Sequence, residues 1–338
     1  MKLTQTEMCS FLMYREIDPV HDQTVNTLYP NRIPVSTAAE LETYLKNRLL
    51  HLDWNKTALA LSGGIDSAIL ARFMPKGAVA YTFKCIVPGV DTLDETLAAS
   101  KIAEECGLEH RIVEVYWEDV ENSIQQLMYS KRAPIHSIEV QIYKACLQAK
   151  QDGFDALVFG EAADAVYGGL DGLLSKDWPV GEFIERYSYV LPYWVLKEPQ
   201  IPIEIFKKWE NRGYIDPHLF VSNVFIHESV GSYLNSSKTA SMKLILPYPE
   251  TYLACPINYE KIRSGENKYI VRDVFRHLYP SHSIPRKTPM PRPVGEWLKE
   301  WKGPVRDEFW KDCAINLTGD QKWLVWILEK YLDMQNKV

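Results

Sequence analysis

The stretch ALALSGGIDSAILARF, residues 58–73, decides the fold of this chain. An apolar run typical of a buried strand ends at Leu61, and apolar residues return at helical spacing after Asp66. The six residues between them, SGGIDS (62–67), contain two glycines and two serines. A helix N-terminus offers unpaired N–H groups, and glycines let an anion approach the main chain closely. The stretch therefore predicts a strand, a phosphate-binding turn and a helix.

The residues that follow continue this alternation of strands and helices. The predicted strands are TALAL, AVAYTF, RIVEV and DALVF, and the predicted helices are DSAILARFM, TLDETLAASKIAEECG, 118–129 and 137–150. We expect a capping box of Thr92 and Glu95 at the start of the second helix, and Gly107 at its end. Strands separated by helices predict an α/β fold, a parallel sheet with helices on both faces. Such sheets bind ligands at the carboxyl ends of their strands, where SGGIDS and GEAADAVYGG (160–169) fall.

The organisation outside this alternation predicts two further parts. Before it, STAAELETYLKNRLLHL reads as a lead-in helix with Ser36 or Thr37 as its N-cap. Beyond residue 170, prolines, aromatic residues and helical stretches at 266–279 and 320–334 predict a C-terminal helical lobe. We therefore expect an N-terminal segment at 1–55, an α/β domain at 56–175 and a helical lobe with a lysine-bearing loop at 176–338.

Composition excludes several classes of function. The 338-residue chain has a net charge of −6, which argues against a nucleic-acid partner. Its six cysteines form no CxxC pair, a pattern that fits reduced thiols better than disulfides or a zinc site. We find no signal peptide and no stretch long enough to span a membrane. We expect a cytoplasmic protein with no membrane partner.

The SGGIDS turn resembles the pyrophosphate loop of the N-type ATP pyrophosphatases, whose fold is HUP-like. That group includes GMP, NAD, argininosuccinate and asparagine synthetases. Three further segments resemble asparagine synthetases in particular: LVFGEAADAVYGGL (157–170), SMKLILPYPE (241–250) and ENKYIVRDVFRHLYPSHSIPRKTPMPRPVGEWL (266–298). NAD and GMP synthetases lack the last segment, so the asparagine-synthetase-like branch is favoured. The resemblance implies an AMP-forming ligase that uses ATP and Mg²⁺ to adenylate a carboxylate and then forms an amide.

The resemblance also implies site residues, position by position. Asp66 and Asp164 match Mg²⁺ ligands, and Lys287 and Lys268 match lysines on the phosphate side. The residues implied to contact ATP are Ser62, Gly63, Gly64, Ile65, Asp66, Ser67, Gly160 and Arg272, with adenine contacts from Ala60, Leu61, Phe83 and Lys84.

The chain departs from the family pattern at the base. Lys243 stands where relatives have a glutamate, and an ammonium accepts a proton only if its surroundings lower its pKa strongly. Glu161 is therefore the expected alternative base. The residues before the synthetase motifs are too few for a glutaminase domain, so ammonia would come from solution or a partner subunit, or another amine would be used. Two alternatives stay open: an ATP-binding partner or regulatory protein without the amide step, and other ATP pyrophosphatase chemistry such as thiolation.

Overall fold

The computed structural model describes residues 2–286 and 288–336. Ten strands lie within these residues: β1 (Ile33–Val35), β2 (Thr57–Ala60), β3 (Val79–Cys85), β4 (Glu109–Val115), β5 (Ala156–Val158), β6 (Trp178–Pro179), β7 (Glu210–Asn211), β8 (Tyr214–Ile215), β9 (Lys243–Ile245) and β10 (Thr251–Leu253).

Helices connect and cover these strands. The α-helices of the described residues are α1 (Gln5–Tyr14), α2 (Thr24–Leu28), α3 (Ala38–Leu50), α4 (Ile65–Arg72), α5 (Thr96–Cys106), α6 (Trp117–Lys131), α7 (Ile138–Gln151), α8 (Ala163–Tyr167), α9 (Asp171–Leu174), α10 (Val180–Tyr187), α11 (Glu204–Lys207), α12 (Pro217–Phe220), α13 (Ile226–Thr239), α14 (Tyr259–Arg263), α15 (Tyr269–Leu278), α16 (Val294–Trp297) and α17 (Gly319–Gln335). A 3₁₀ turn covers Pro192–Trp194, and a π-helical stretch, Val221–Phe225, leads into α13.

The centre of the molecule is a five-stranded parallel sheet in the order β4-β3-β2-β5-β9. Helices α4, α5 and α15 pack on one side of it, and α6, α7 and α13 pack on the other. The predicted α/β fold with a parallel sheet and helices on both faces is confirmed, and helices dominate the C-terminal part. Two small sheets accompany it: β1 pairs with β10, and β6, β8 and β7 form an antiparallel sheet.

The local signals in the sequence placed most elements correctly. Helix α3 begins after Thr37, whose side chain accepts the Glu40 N–H, and its buried face carries Leu41, Leu45 and Leu49. Gly107 ends α5 in the left-handed conformation with φ 68°. The start of α5 differs from the prediction.

The expected capping box of Thr92 and Glu95 does not form. Helix α5 starts only at Thr96, with Glu95 as its N-cap residue. The Thr92 hydroxyl donates instead to the carbonyl of Cys85 at the end of β3. The Glu95 carboxyl group, in turn, accepts a hydrogen bond from the Gly63 N–H.

The sequence also missed the fifth strand of the sheet. β9 lies in the region assigned to the helical lobe, yet it pairs in parallel with β5, with Ala156 opposite Lys243 and Val158 opposite Ile245. A three-residue strand gives too short a pattern to read, and pairing supplies what the local signal lacks. The boundary at residue 175 stays a prediction.

One hydrophobic core spans the sheet and the C-terminal part, since Phe11 of α1, Leu59 of β2 and Trp323 of α17 belong to the same buried cluster. A smaller aromatic cluster contains Tyr14, Phe183 and Phe206. All six cysteines are free thiols. Within the described residues, no helix is both long and apolar enough to cross a membrane.

Candidate active site

A cavity of about 340 Å³ lies where β2 and β5 end, at the carboxyl edge of the sheet. Its lining includes the turn 62–67, the segment 159–164 after β5, and the loop around residues 284–286 and 288–291. Lys268 and Arg272 close another side from α15 and the residue before it. Parallel strands bring these distant segments together because their carboxyl ends meet at one edge.

The turn after β2 is closed by its two serines. The Ser62 N–H donates to the Ser67 hydroxyl at 3.0 Å, and the two hydroxyl oxygens lie 2.9 Å apart. The Gly64 N–H donates to the Ser62 hydroxyl, and α4 begins at the next residue. The hydroxyl of the buried Tyr248 donates to the Asp66 carbonyl, which fixes the first turn of the helix. The sequence SGGIDS thus folds into the turn and helix start that it predicted.

Two glycines are required because the second loop approaches very closely. A Cβ atom on Gly160 would lie 2.9 Å from the Ser67 nitrogen and 3.1 Å from the Asp66 Cβ. A Cβ atom on Gly169 would lie 1.9 Å from an Asp164 carboxylate oxygen. Only glycine fits at both places, and the loop after β5 is thereby held against the turn after β2.

The cavity cluster consists of Asp66, Asp164 and Lys268. The Lys268 ammonium lies 2.7 Å from the Asp66 carboxylate and 2.9 Å from that of Asp164. Burial opposes the charge on Lys268, but the two carboxylates outweigh this effect and raise its pKa. Lys268 therefore carries a positive charge between two carboxylates that come from different loops.

The backbone of Lys268 is held in an unusual conformation. Lys268 has φ 52° and ψ 37°, in the left-handed region that side chains other than glycine rarely adopt. Its N–H donates to the Gly168 carbonyl at 3.1 Å, and α15 starts at the next residue. Left-handed residues of this kind are concentrated at functional sites, where the surrounding structure compensates their cost.

Asp66 and Asp164 suit a magnesium ion in their chemistry. Carboxylate oxygens are the hard donors that Mg²⁺ prefers, and both face the same point, since one nitrogen contacts both. Among the described residues, however, no group of three or more His, Cys, Asp or Glu could hold a metal ion. A magnesium ion here would therefore need further oxygen ligands, such as the phosphates of a nucleotide.

Glu161 lies in the cavity wall, in the segment after β5, and is held by α13. Its carboxylate accepts a hydrogen bond from the Ser229 hydroxyl at 2.6 Å. Burial, followed by the adjacent Glu161 carboxylate, raises the pKa of Tyr233 well above its ordinary value. Tyr233 thus stays a neutral phenol that lines the cavity, and its ring packs edge-on against Phe159 with centroids 5.0 Å apart.

Glu95 is a second carboxyl group in the cavity wall. Burial raises its pKa to about 7, against the effect of a hydrogen bond from the Gly63 N–H and with a further contribution from Asp94. The carboxyl group of Glu95 therefore lies directly at the turn 62–67, with a pKa near neutral pH.

The comparisons with known proteins agree with this geometry. The family described as Asparagine synthase matches residues 42–212, half of the chain. The chain belongs to the asparagine synthase family. Membership of this family implies an ATP-using ligase or transferase. The family match includes the turn 62–67 and the segment 160–169 but ends before β9 and Lys268.

Solved structures and curated proteins add little to the family assignment. NMN synthetase from Francisella tularensis is 12% identical, with a TM-score of 0.27 over 74% of this chain and 96% of that chain. The U34-tRNA thiolase NcsA from Methanococcus maripaludis is 18% identical, with a TM-score of 0.28 over 74% of this chain and 82% of that chain. Scores this low support no conclusion about the present chain. No curated protein matches it.

Most of the predicted site residues of this family member lie together at the cavity. These are Ala60, Leu61, Ser62, Gly63, Gly64, Ile65, Asp66, Ser67, Phe83, Gly160, Glu161, Asp164, Lys268 and Arg272. Arg272 donates to the Gly265 carbonyl at 2.9 Å, so part of its guanidinium group is used within the protein. Lys287 lies outside the described residues, and its predicted role stays a prediction.

Two predicted residues do not line the cavity. Lys243 is exposed at the first position of β9, at the amino end of the sheet, whereas the cavity lies at the carboxyl end. The expectation that the position of the family base, Lys243 in this chain, belongs to the catalytic site is therefore corrected, because Lys243 lies at the opposite end of the strands from the cavity. Lys84 forms an ion pair with Asp94 at 3.0 Å. Its neighbour Phe83 in β3 lines the cavity, whereas Lys84 does not.

Sequence reasoning missed Glu95, Ser229 and Tyr233. The Thr92-x-x-Glu95 pattern indicated a helix cap, which gave Glu95 a purely local role. Ser229 and Tyr233 lie in the aromatic-rich stretch DPHLFVSNVFIHESVGSYL (216–234), where composition did not separate cavity residues from core residues. The spacing of four residues, which places both side chains on one face of α13, was the available signal.

Proposed function

We propose that this asparagine synthase family member is an AMP-forming carboxylate–amine ligase. The observation that supports the proposal best is the convergence of a phosphate-binding turn, the cavity cluster and Glu161 on one cavity. A nucleotide-binding turn alone would not need Glu161 as a further carboxylate in the cavity wall. The arrangement suits two successive reactions at one place.

In the first reaction, a substrate carboxylate oxygen bonds to the α-phosphorus of ATP. The bond between the α-phosphorus and the bridging oxygen breaks, which gives an acyl-adenylate and pyrophosphate. The N–H groups at the start of α4 and the charge of Lys268 favour the negative charge on the phosphates. The chain contributes mainly position and charge, which are the main needs of this step.

Asp66 and Asp164 are the residues that would hold Mg²⁺. A bound Mg²⁺ neutralises phosphate charge and orients the leaving pyrophosphate. The two aspartates lie on loops fixed to each other through Gly160, so their separation is set before a nucleotide enters.

In the second reaction, the amine nitrogen attacks the acyl carbon and AMP leaves with the electrons of the C–O bond. The nitrogen must lose a proton, which requires a base. We assign this role to Glu161, which Ser229 holds in place and Tyr233 flanks. The proposed substrates are a small-molecule or peptide carboxylate and an amine, either ammonia from solution or from a separate subunit, or another amine.

A second candidate is an ATP-binding partner protein that does not form amides. One observation favours it: the position of the family glutamate is taken by Lys243, at the other edge of the sheet. This protein would bind nucleotide in the cavity but release no pyrophosphate.

Pyrophosphate release separates the two candidates. Purified protein is given ATP, Mg²⁺, ammonia or another amine, and each member of a panel of carboxylates. We expect release with at least one carboxylate, a loss of about 10²–10³-fold in Asp66→Asn, and a loss of amide formation of about 10²–10⁴-fold in Glu161→Gln. Lys243→Met is the control and is expected to retain activity within about twofold, as a surface substitution. Nucleotide binding without release across the panel would favour the partner protein, and full amide formation by Glu161→Gln would refute the assigned base.

A further inference from the structure

We propose that Lys268 is an internal counter-ion that holds the place of the metal until a nucleotide arrives. In the nucleotide-free protein, its single positive charge is shared between the carboxylates of Asp66 and Asp164 and offsets part of their negative charge. A divalent cation enters only together with nucleotide phosphates. The Lys268 ammonium then leaves the two aspartates and forms its ion pair with those phosphates. The inference rests on the proposed function in one respect, that Mg²⁺ and ATP use this cavity.

The first support is the position of the ammonium. It lies 2.7 Å from one carboxylate and 2.9 Å from the other, and these are the two side chains that suit a metal. A cation bound between them would have to occupy the place that this nitrogen now takes. Like charges at such a separation repel strongly, so the lysine must move before a metal can bind.

The second support is the way in which Lys268 is held. Its side chain is 8% exposed, whereas those of Asp66 and Asp164 are 21% and 26% exposed. The left-handed backbone and the hydrogen bond to Gly168 aim this buried side chain at the pair. A surface lysine that met the carboxylates by chance would need neither feature.

The third support is the number of ligands. The described residues offer two carboxylates at this point and no larger group of metal-binding side chains. A Mg²⁺ ion prefers six oxygen ligands and loses its water reluctantly. Two carboxylates compensated by an internal ammonium compete poorly with water, while a triphosphate supplies both additional oxygens and a new anionic partner for Lys268. Metal binding should therefore depend on nucleotide.

Binding of Mn²⁺ to the protein, measured by equilibrium dialysis with the same nucleotide concentration on both sides of the membrane, tests this directly. Because α,β-methylene ATP itself binds Mn²⁺, only the excess Mn²⁺ on the protein side counts as bound. Wild-type protein should bind Mn²⁺ alone at least about tenfold more weakly than in the presence of α,β-methylene ATP. Lys268→Met should bind Mn²⁺ alone at least about tenfold more tightly than the wild type. Lys243→Met is the control, because Lys243 is an exposed lysine at the first position of β9, away from the cavity, and it should keep the wild-type ratio.

Thermal unfolding gives a second measurement that needs no turnover. Lys268→Met should melt at a lower temperature than the wild type in EDTA and should regain stability with Mn²⁺ alone, whereas Lys268→Met/Asp164→Asn should not regain it. The wild type should respond only to Mn²⁺ with the nucleotide. The proposal is overturned if Lys268→Met binds Mn²⁺ no better than the wild type, or if the wild type binds Mn²⁺ equally well without nucleotide. A wild type that shows nucleotide-dependent Mn²⁺ binding but releases no pyrophosphate would refute the ligase and leave this inference standing.

Discussion

Two ion-paired clusters in this protein each hold a basic side chain against one or two carboxylates, and they differ in their surroundings. The cavity cluster joins Lys268 to two carboxylates whose side chains are 21% and 26% exposed. The interior cluster consists of Arg15, Glu228 and His136; Arg15 lies 2.6 Å from Glu228, whose side chain is 3% exposed, and 2.8 Å from His136. Charges that border a cavity can exchange partners with a ligand, whereas enclosed charges can only stabilise or destabilise the fold.

Helix α13 contacts both the interior cluster and the wall of the cavity. Glu228 faces the interior cluster, while its neighbour Ser229 binds Glu161 in the cavity. Burial raises the pKa of Glu228 in spite of the attraction of Arg15, and burial together with Arg15 keeps the pKa of His136 well below its ordinary value. The ion pair of Arg15 and Glu228 therefore adds little to the net stability of the fold, whereas removal of one partner would lower that stability strongly.

The largest expected effect is on stability and belongs to the interior cluster. Glu228→Ala leaves the Arg15 guanidinium buried without its carboxylate, which should lower the free energy of unfolding by about 3–5 kcal/mol. Urea denaturation measures this. The folded fraction should bind α,β-methylene ATP with nearly unchanged affinity, as measured by calorimetry.

The control for this variant removes both charges. Arg15→Met/Glu228→Leu should recover most of the lost stability, since apolar residues of similar volume often replace a buried ion pair without loss. If Glu228→Ala were as stable as the wild type, or if it weakened nucleotide binding more than tenfold while folded, the division between the two clusters would be wrong.

The next largest effect concerns the cavity cluster, and there we expect a large change in ligand affinity and a small change in stability. Asp164→Asn removes one carboxylate from the place that suits Mg²⁺, so the affinity for Mg²⁺ with α,β-methylene ATP should fall at least roughly tenfold. Lys268 keeps Asp66 as its partner, and the free energy of unfolding should change by about 1 kcal/mol or less. Calorimetry and urea denaturation of the same preparation compare the two quantities. A stability loss equal to that of Glu228→Ala would remove the contrast.

Glu95 extends the comparison to a carboxyl group that lines the cavity and changes its charge near neutral pH. Its pKa is raised to about 7, so the group is neutral below that pH and negative above it. Affinity for α,β-methylene ATP should therefore decrease by roughly three- to tenfold more between pH 6 and pH 8 in the wild type than in Glu95→Gln. Measuring both proteins with the same nucleotide removes the contribution of the nucleotide's own titration.

The raised pKa of Glu95 also makes the free energy of unfolding depend on pH. Because folding raises the pKa of Glu95 from 4.5 to about 7, its contribution to stability is complete below pH 4.5 and is lost as the pH rises through 7. Relative to the wild type, the free energy of unfolding of Glu95→Gln should therefore rise as the pH increases from 4.5 to about 7, and the difference should stay constant above pH 7. An equal pH dependence in both proteins would show that Glu95 does not titrate there.

The smallest expected effect concerns Ala162, which lies beside the cavity cluster without charge. Its backbone has the left-handed conformation, with φ 69°. Ala162→Gly should increase the free energy of unfolding by about 0.5–1 kcal/mol, because the relief of strain exceeds the added flexibility of the unfolded chain. Ala163→Gly, at the first right-handed position of α8, should instead lose about 1 kcal/mol. Chemical denaturation distinguishes the two, and equal losses would refute the strain.

The sequence allowed the turn 62–67 of the candidate site to be predicted, whereas Glu95, Ser229 and Tyr233 were not predicted. The turn 62–67 depends on neighbouring residues, so its pattern carried the prediction. The interior cluster joins Arg15 to a carboxylate more than two hundred positions away, and β9 gains its identity from pairing with β5. Glu95 was misread because Thr92 has a different hydrogen-bond partner in the fold. Contacts of this kind depend on tertiary structure and leave no local periodicity.

The pairing of β9 with β5 has a consequence for how the chain acquires its site. β5 remains an uncovered sheet edge on that side until residues 243–245 arrive, well after the turn 62–67 has left the ribosome. An open apolar edge invites pairing with other chains. Tyr248, three residues past β9, then fixes the carbonyl of Asp66. The sheet edge at β5 is therefore covered, and the start of α4 is fixed, only when residues 243–248 have been synthesised. A fragment that stops at residue 212 would be prone to aggregate.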